Sequence, residues 1–478
     1  MTKNALSLVD PLRRLLGSEN VLSSRSDLMT YECDGFVIEK NSPDVVVFPR
    51  NAEQISAIVR LCNEADVPFL PRGAGTSLAG GCLPVGGGVM IVLTRMKEIL
   101  EIHLRDRYAV VQPGVVNVWL TQALKGTGFH YAPDPSSQGA CTIGGNVATN
   151  SGGPHTLKYG VTVNHVLGVE AVLADGSIIR LGGPAEESPG LDLLGALVGS
   201  EGTLAIVTQV WVRLTRNPQG HRTLLGVFES VDDATNAISD IIGAGIVPAA
   251  LEMLDAGILE ALEQAFSFGF PLDAGAVLLI EVDGLEAGLD SQKEQIVELC
   301  ENRGAREVRL AADEKERQKL WKCRKQAFGA IGRLSPSYCT QDGVVPRTQL
   351  PHILRRIREI GERHQIRIVN VFHAGDGNIH PILLFDERDQ AQVQRVLQAS
   401  HEILQECLDC GGSVTGEHGI GVEKIGFMEK MFSQSDLQAM ARLRESFNPH
   451  NRLSPQKMLP TAGACGMEQT HPGRRAAL

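Results

Sequence analysis

Four consecutive apolar residues, Val45-Val46-Val47-Phe48, precede a stretch in which Ile55, Ile58, Val59 and Cys62 recur at i, i+3, i+4 and i+7. The first pattern predicts a buried strand, and the second a helix with one apolar face that Asn51 is placed to cap. Val67-Pro68-Phe69-Leu70 predicts a second strand. Strand, helix and strand in this order make a right-handed crossover between parallel strands. The segment after Leu70 therefore leaves a carboxyl end, where ligands bind in open α/β sheets.

That segment is Pro71-Arg72-Gly73-Ala74-Gly75-Thr76-Ser77-Leu78-Ala79-Gly80-Gly81. Small residues let successive backbone N–H groups turn inward and cradle an anion such as a pyrophosphate. A Rossmann fingerprint needs a last glycine where this loop has Leu78, and it opens a helix, whereas residues 89–93 read as a strand. The loop has no Gly-Lys-Ser/Thr after it, which removes a P-loop. Residues 143–153 and 199–204 are equally small, polar and glycine-rich, and suit the walls of one elongated cofactor.

Short apolar runs at 109–112, 166–173, 178–181 and 205–207, with a turn at Asp175-Gly176, predict an α+β domain with a mixed sheet. Asn217-Pro218-Gln219-Gly220 marks a boundary. Beyond it, strands at 223–228 and 276–282 and helices at 231–242 and 291–302 predict a second α+β region. Residues 1–42 read as a helical lead-in, and residues 461–478 as a disordered tail.

Within the second region, Val369-Asn370-Val371-Phe372 and Ile382-Leu383-Leu384-Phe385 flank Asp376-Gly377, a two-residue hairpin signal. That turn would set His373 directly opposite His380, on one face with Cβ atoms about 4.5–5.5 Å apart. Two imidazoles so placed can share one divalent ion through bonds of about 2.0–2.1 Å. Gly416-Glu417-His418-Gly419 offers a carboxylate and a third imidazole between glycines. A structural reading of the same residues has the histidines bonding the hairpin backbone and the glycines serving as plain turns.

Composition narrows the function. The 478 residues exceed one ordinary core, so two or more domains are expected. With 45 Lys and Arg against 56 Asp and Glu, the net charge is -11, and no basic stripe is present. Nucleic acid is thereby excluded as a partner. No apolar run nears the ~20 residues of a membrane span, and the first residues lack a signal-peptide core, so the chain reads as cytoplasmic. Ten irregularly spaced cysteines read as reduced thiols, and Cys407 and Cys410 as helix cysteines rather than a metal site. Without four grouped thiolates the chain carries no iron–sulfur cluster of its own.

The motifs at 71–77, Ala132-Pro133-Asp134-Pro135-Ser136-Ser137, Ile143-Gly144-Gly145-Asn146, Gly199-Ser200-Glu201-Gly202, His373-Ala374-Gly375-Asp376-Gly377-Asn378 and Gly416-Glu417-His418-Gly419-Ile420-Gly421 together resemble FAD-linked oxidases of the vanillyl-alcohol oxidase type. Within that family the chain resembles the flavoprotein subunits of glycolate oxidases, beside D-lactate and D-2-hydroxyglutarate dehydrogenases. The resemblance implies an α+β fold with a bipartite PCMH-type FAD-binding domain (43–217), a cap domain with an antiparallel sheet (218–425) and a segment returning to the FAD domain (426–460). It implies FAD held by Pro71, Arg72, Gly73, Ala74, Gly75, Thr76, Ser77 and Gly80, with Pro133, Asp134, Ser137, Gly144, Gly145, Asn146, Ser151 and Gly152 along the flavin and Glu201, Gly202 and Ile206 toward the adenine. The loop has no histidine, so the flavin is expected to be non-covalent.

The resemblance also implies a divalent ion (Zn, Mn or Fe) on His373, His380 and Glu417, a substrate carboxylate on Arg324 and a general base at His418. The implied reaction is oxidation of a small 2-hydroxy acid, glycolate foremost, with D-lactate or D-2-hydroxyglutarate as the alternative. Relatives acting on 2-hydroxyglutarate carry a polar residue where this chain has Ile382, which favours a smaller substrate. Ser454-Pro455 replaces the Asn-Pro of relatives. An iron–sulfur subunit and a second flavoprotein-like subunit are the implied partners, with attachment to a membrane only peripheral and through them. Two rivals carry different consequences: a transferase of the alkylglycerone-phosphate synthase branch, whose adjacent histidines are absent at 416–418, and a flavin-binding assembly subunit without catalysis.

Overall fold

The apolar run at Val45–Val47 and the helix Ala52–Glu64 form as their patterns require: Ile55, Ile58, Val59 and Cys62 are all buried, and the Asn51 side chain accepts from the Gln54 N–H. The structure, a computed structural model, describes residues 3–185 and 190–460; the tail expected past Pro460 lies outside them. Over those residues the chain makes two compact units. One comprises the described residues within 3–151, 161–216 and 417–460, and the other Gly152–Gly160 and Asn217–Gly416.

The first unit holds two principal sheets where the sequence predicts one mixed sheet. In the smaller, Val89–Val92 lies between Val45–Val47 and Phe69–Arg72, parallel to both, and Val21–Leu22 adds an antiparallel edge. The other has five strands, in the order Ile99–His103, Tyr108–Val111, Ala205–Arg213, Val166–Leu173 and Ile178–Gly182, all antiparallel. The difference has a plain cause. Once Val89–Val92 inserts into the crossover, the later strands are joined by tight turns such as Asp175-Gly176, which pair neighbours antiparallel. The segment after residue 416 belongs to this unit: Leu453 bridges Phe69, and Ser454 N donates to Phe69 O at 2.8 Å.

The second unit is built on an antiparallel sheet of nine strands. Its central strands are Gly220–Phe228, Ala276–Gly284, Ala250–Asp255 and Arg367–His373, and Pro381–Phe385 continues beyond them. Leu225, Val227, Leu279, Leu254, Val371, Val369 and Ile382 line one face, and the helices Ala256–Phe266 and Glu314–Ala330 bury it with Ile258, Leu262, Leu320, Trp321 and Ala327. Among the described residues no helix is long and apolar enough to cross a membrane.

Candidate functional site

In the first unit the glycine loop leaves Phe69–Arg72 at the carboxyl end of that parallel strand, beside the start of the helix Ile143–Thr149. A Cβ on Gly73 would sit 2.5 Å from Thr142 Oγ1, and one on Gly144 2.5 Å from Pro113 Cβ. Gly75 has a φ of +74°, a conformation glycine adopts without strain. Arg72 is itself buried, donating to the Cys33 carbonyl at 2.9 Å, and its guanidinium lies against Gly75, where a Cβ would fall 2.6 Å from Cζ. The hydroxyls of Ser77 and Ser151 are buried without a hydrogen-bond partner among the described residues. Buried polar groups in native proteins are nearly always satisfied. Two such hydroxyls near loops of close backbone approach fit a polar ligand.

Other residues of that set have structural ties of their own. Pro133 O accepts from Asn117 at 3.0 Å, which fixes the bend before Asp134, and Ser137 O accepts from Ala140 and Cys141. Gly202 lies against Pro71, where a Cβ would fall 2.8 Å from the ring, and Ile206 packs into the core under the four-stranded sheet. Glu201, at φ +51°, directs both carboxylate oxygens to the backbone N–H groups of Ile420 and Gly421, each at 2.7 Å. Burial pushes its carboxyl above the ordinary range, against the pull of those two N–H groups. The residue thus anchors the turn that directly follows Glu417 and His418, whose side chains lie 3.5 Å apart, Oε1 to Nε2.

Gly73→Ala is expected to retain FAD at least about tenfold more weakly, since relieving the clash with Thr142 displaces the cap of Ile143–Thr149. The ratio of flavin to protein absorbance after gel filtration reads this directly; a wild-type ratio would show that the loop has room to spare.

In the second unit a row of polar side chains lies at one end of the apolar face. Strand register puts Thr223 beside Glu281 and Glu252 beside His373. His380 shares the face with Ile382, two residues on. Across them runs the helix Glu314–Ala330, bringing down Arg317, Trp321 and Arg324 at i, i+4 and i+7. Glu281 accepts from Thr223, from Arg317 at 2.8 and 2.9 Å and from Trp321 Nε1 at 2.7 Å. Burial opposes its charge, but His155, Arg317 and Thr223 hold its carboxyl far below the ordinary range.

Arg324, Glu252, His373 and His380 are the deepest members, at 1%, 0%, 3% and 1% exposure. Arg324 Nε donates to Glu252 Oε2, while His373 Nδ1 lies 2.8 and 3.0 Å from the two Glu252 oxygens. Burial works against the Glu252 charge, yet Arg324 and His373 outweigh it and keep the carboxyl below its usual range. Arg324, flanked by Lys322 and Lys325, reads in sequence as equally suited to a helix surface; the structure buries it. Its Nη1 has no hydrogen-bond partner among the described residues.

The two imidazoles meet, but not in the register the hairpin signal predicts. His373 pairs with Asn378 and Asn370 with Pro381, so the turn spans Ala374 to Gly377 and the register is shifted by two residues. The loop is wider because its backbone is claimed from outside: Gly375 N donates to Leu251 O, and Val345 N to Gly377 O. A shift of two preserves the face. His373 and His380 are therefore diagonal neighbours, their ring centroids 5.2 Å apart at 89°.

His380 Nδ1 lies 3.3 Å from Gln341 O and 3.9 Å from Asp342 Oδ1, and Phe328 packs edge-on against its ring. Asp342 also accepts from Thr415 Oγ1 at 2.6 Å and Gly416 N at 3.0 Å, fixing the residues just before Glu417. Sequence reasoning missed Glu252 and Asp342. Glu252 lies among apolar neighbours, Leu251 and Met253, and an acidic side chain so placed was the available signal; Asp342, after Gln341, carried none.

The chain matches the family description "FAD binding domain" over residues 43–182 and "FAD linked oxidases, C-terminal domain" over residues 217–458. It is 44% identical to the glycolate oxidase subunit GlcD of Escherichia coli (strain K12), over 96% of this chain and 92% of that protein. It is 31% identical to a probable mitochondrial D-lactate dehydrogenase of Danio rerio, over 95% and 91%. Its fold superposes on p-cresol methylhydroxylase with a TM-score of 0.81 at 17% identity, covering 96% of this chain and 97% of that one. Two family matches and relatives above 30% identity over nearly all of its length lead to one conclusion: the chain belongs to the FAD-linked oxidases, an FAD-dependent family with a PCMH-type fold.

Proposed function

We propose that this protein oxidises a small 2-hydroxy acid, glycolate in preference to D-lactate, and passes the electrons to a partner subunit. The observation that carries the reading is the buried trio of Arg324, His373 and His380, in a chain 44% identical to a glycolate oxidase subunit. A guanidinium with Nη1 still uncommitted suits a carboxylate, which it binds with a directional charge-assisted bond. FAD, when bound, supplies the acceptor for the hydride released from the substrate's α-carbon.

His418 takes the hydroxyl proton, as an imidazole working near neutral pH is suited to do. A divalent ion held by His373, His380 and Glu417 would supply Lewis-acid stabilisation of developing negative charge. Support for this ligand set comes from the pairing of the two imidazoles and from Asp342, which secures Gly416, the residue before Glu417.

Ile382 is fully buried in the apolar cluster beside His380. It offers nothing to a second carboxylate, which favours glycolate and lactate over 2-hydroxyglutarate. The relatives named as subunits of a glycolate oxidase support a partner chain, to which we assign the role of electron acceptor. An iron–sulfur subunit fits that role, with a second flavoprotein-like subunit beside it, in a cytoplasmic assembly held at a membrane only through those partners.

Anaerobic addition of glycolate and of D-lactate to the FAD-loaded protein tests the reading. Bleaching of the flavin absorbance is expected with both, faster with glycolate. A flavin that stays oxidised with both acids would mark a binding subunit instead, and faster bleaching with D-lactate would reassign the substrate.

A further inference from the structure

Glu252 touches both the arginine and a histidine of the buried trio. Resting on the divalent-ion reading, we infer that Glu252 is a positioning residue. It selects which nitrogen of His373 faces the ion and sets how Arg324 is presented to the substrate. Arg324 Nε, which can only donate, bonds Glu252 Oε2, so the carboxylate is the acceptor in this cluster. His373 Nδ1, 2.8 and 3.0 Å from its oxygens, therefore carries a proton.

Arg324 Nη2 approaches the same nitrogen at 3.4 Å. It cannot donate to a ring nitrogen that already bears hydrogen, so the carboxylate prevails over the longer contact. With Nδ1 protonated, the lone pair of His373 resides on Nε2. A carboxylate behind a histidine fixes ring and tautomer in this way in metal sites.

The same carboxylate holds the Nε edge of Arg324, leaving Nη1 as the donor without a partner among the described residues. The neighbouring carboxylate, Glu281, makes the contrast. Thr223, Arg317 and Trp321 engage it, and neither histidine of the pair does. Glu281 is a structural tie, whereas Glu252 is a tie that ends on a metal-facing ring.

The test is equilibrium dialysis of the full-length, FAD-loaded protein against Zn²⁺ and Mn²⁺, with flavin content measured on the same samples. Glu252→Gln replaces one acceptor oxygen by an amide donor, and its ion affinity is expected to fall about 10- to 100-fold at unchanged flavin content. Glu252→Asp, which keeps a carboxylate, is expected to recover part of that loss. Glu281→Gln is expected to lower the urea midpoint without changing ion affinity.

If Glu252→Gln strands Arg324 and fails to fold, the double variant Glu252→Gln/Arg324→Met removes the stranded charge and must show the same weakened uptake. Wild-type affinity in either folded variant would overturn the role assigned to Glu252. A wild-type protein that takes up neither ion would overturn the metal reading itself, and with it this inference.

Discussion

His418→Ala is expected to purify with its FAD and to leave that flavin oxidised when glycolate is added without oxygen, with reduction slowed about 10²- to 10⁴-fold. The two halves of this expectation have separate causes. Flavin retention is expected to depend on the glycine loop at 71–80 and on the hydroxyls of Ser77 and Ser151, partnerless among the described residues, all of them remote from residue 418 in sequence. The loss of rate follows because an alcohol proton has nowhere to go once the imidazole is removed. The turn itself should survive, since Glu201 holds Ile420 and Gly421 through their backbone N–H groups and not through the histidine. Stopped-flow absorbance of the flavin, compared with wild type at saturating glycolate, makes the measurement. Reduction at the wild-type rate would remove His418 as the base, and loss of FAD would show instead that the residue serves the cofactor site.

What the sequence made legible was local. The helix Ala52–Glu64, its Asn51 cap and the glycine loop that leaves the next strand all follow from spacing within a few dozen residues, and each is where the pattern requires. The histidine hairpin was legible in its outcome and not in its detail. Asp376-Gly377 announces the reversal, but Leu251 and Val345 set its width, and neither is adjacent in sequence. Only because a two-residue slip conserves the face do the imidazoles still meet.

Glu252 was legible only as a charge in need of a partner, not as a member of the site. Its partners Arg324 and His373 lie 72 and 121 positions away. A lone glutamate in an apolar strand says that something must neutralise it without saying what. The division of the first unit's strands between two sheets was not legible for a related reason: periodicity identifies strands, whereas their partition between sheets depends on which connection inserts a strand into an existing crossover.

Arg324 carries the second large effect, and its two roles can be separated by choice of substitution. Arg324→Ala leaves the fully buried Glu252 carboxylate without its cation. Breaking one partner of a buried ion pair costs about 3–5 kcal/mol, because the remaining charge stays desolvated. The expected result is a marked fall in the denaturant midpoint of the second unit, so a loss of activity in this variant alone would not speak to substrate binding. Arg324→Lys keeps the charge beside Glu252 and removes the planar fork. It is expected to fold, to retain FAD and to raise KM for glycolate about 10- to 100-fold, the equivalent of one charge-assisted hydrogen bond, with a smaller change in kcat. If KM stays at the wild-type value in Arg324→Lys while Arg324→Ala is merely unstable, the arginine is a structural counterion to Glu252 and the substrate carboxylate must be held elsewhere. If KM rises as stated and flavin content does not fall, the same guanidinium both neutralises a buried carboxylate and binds the substrate. A residue with both tasks has to be this deeply buried, because a carboxylate ligand gains most from a guanidinium that bulk water cannot screen.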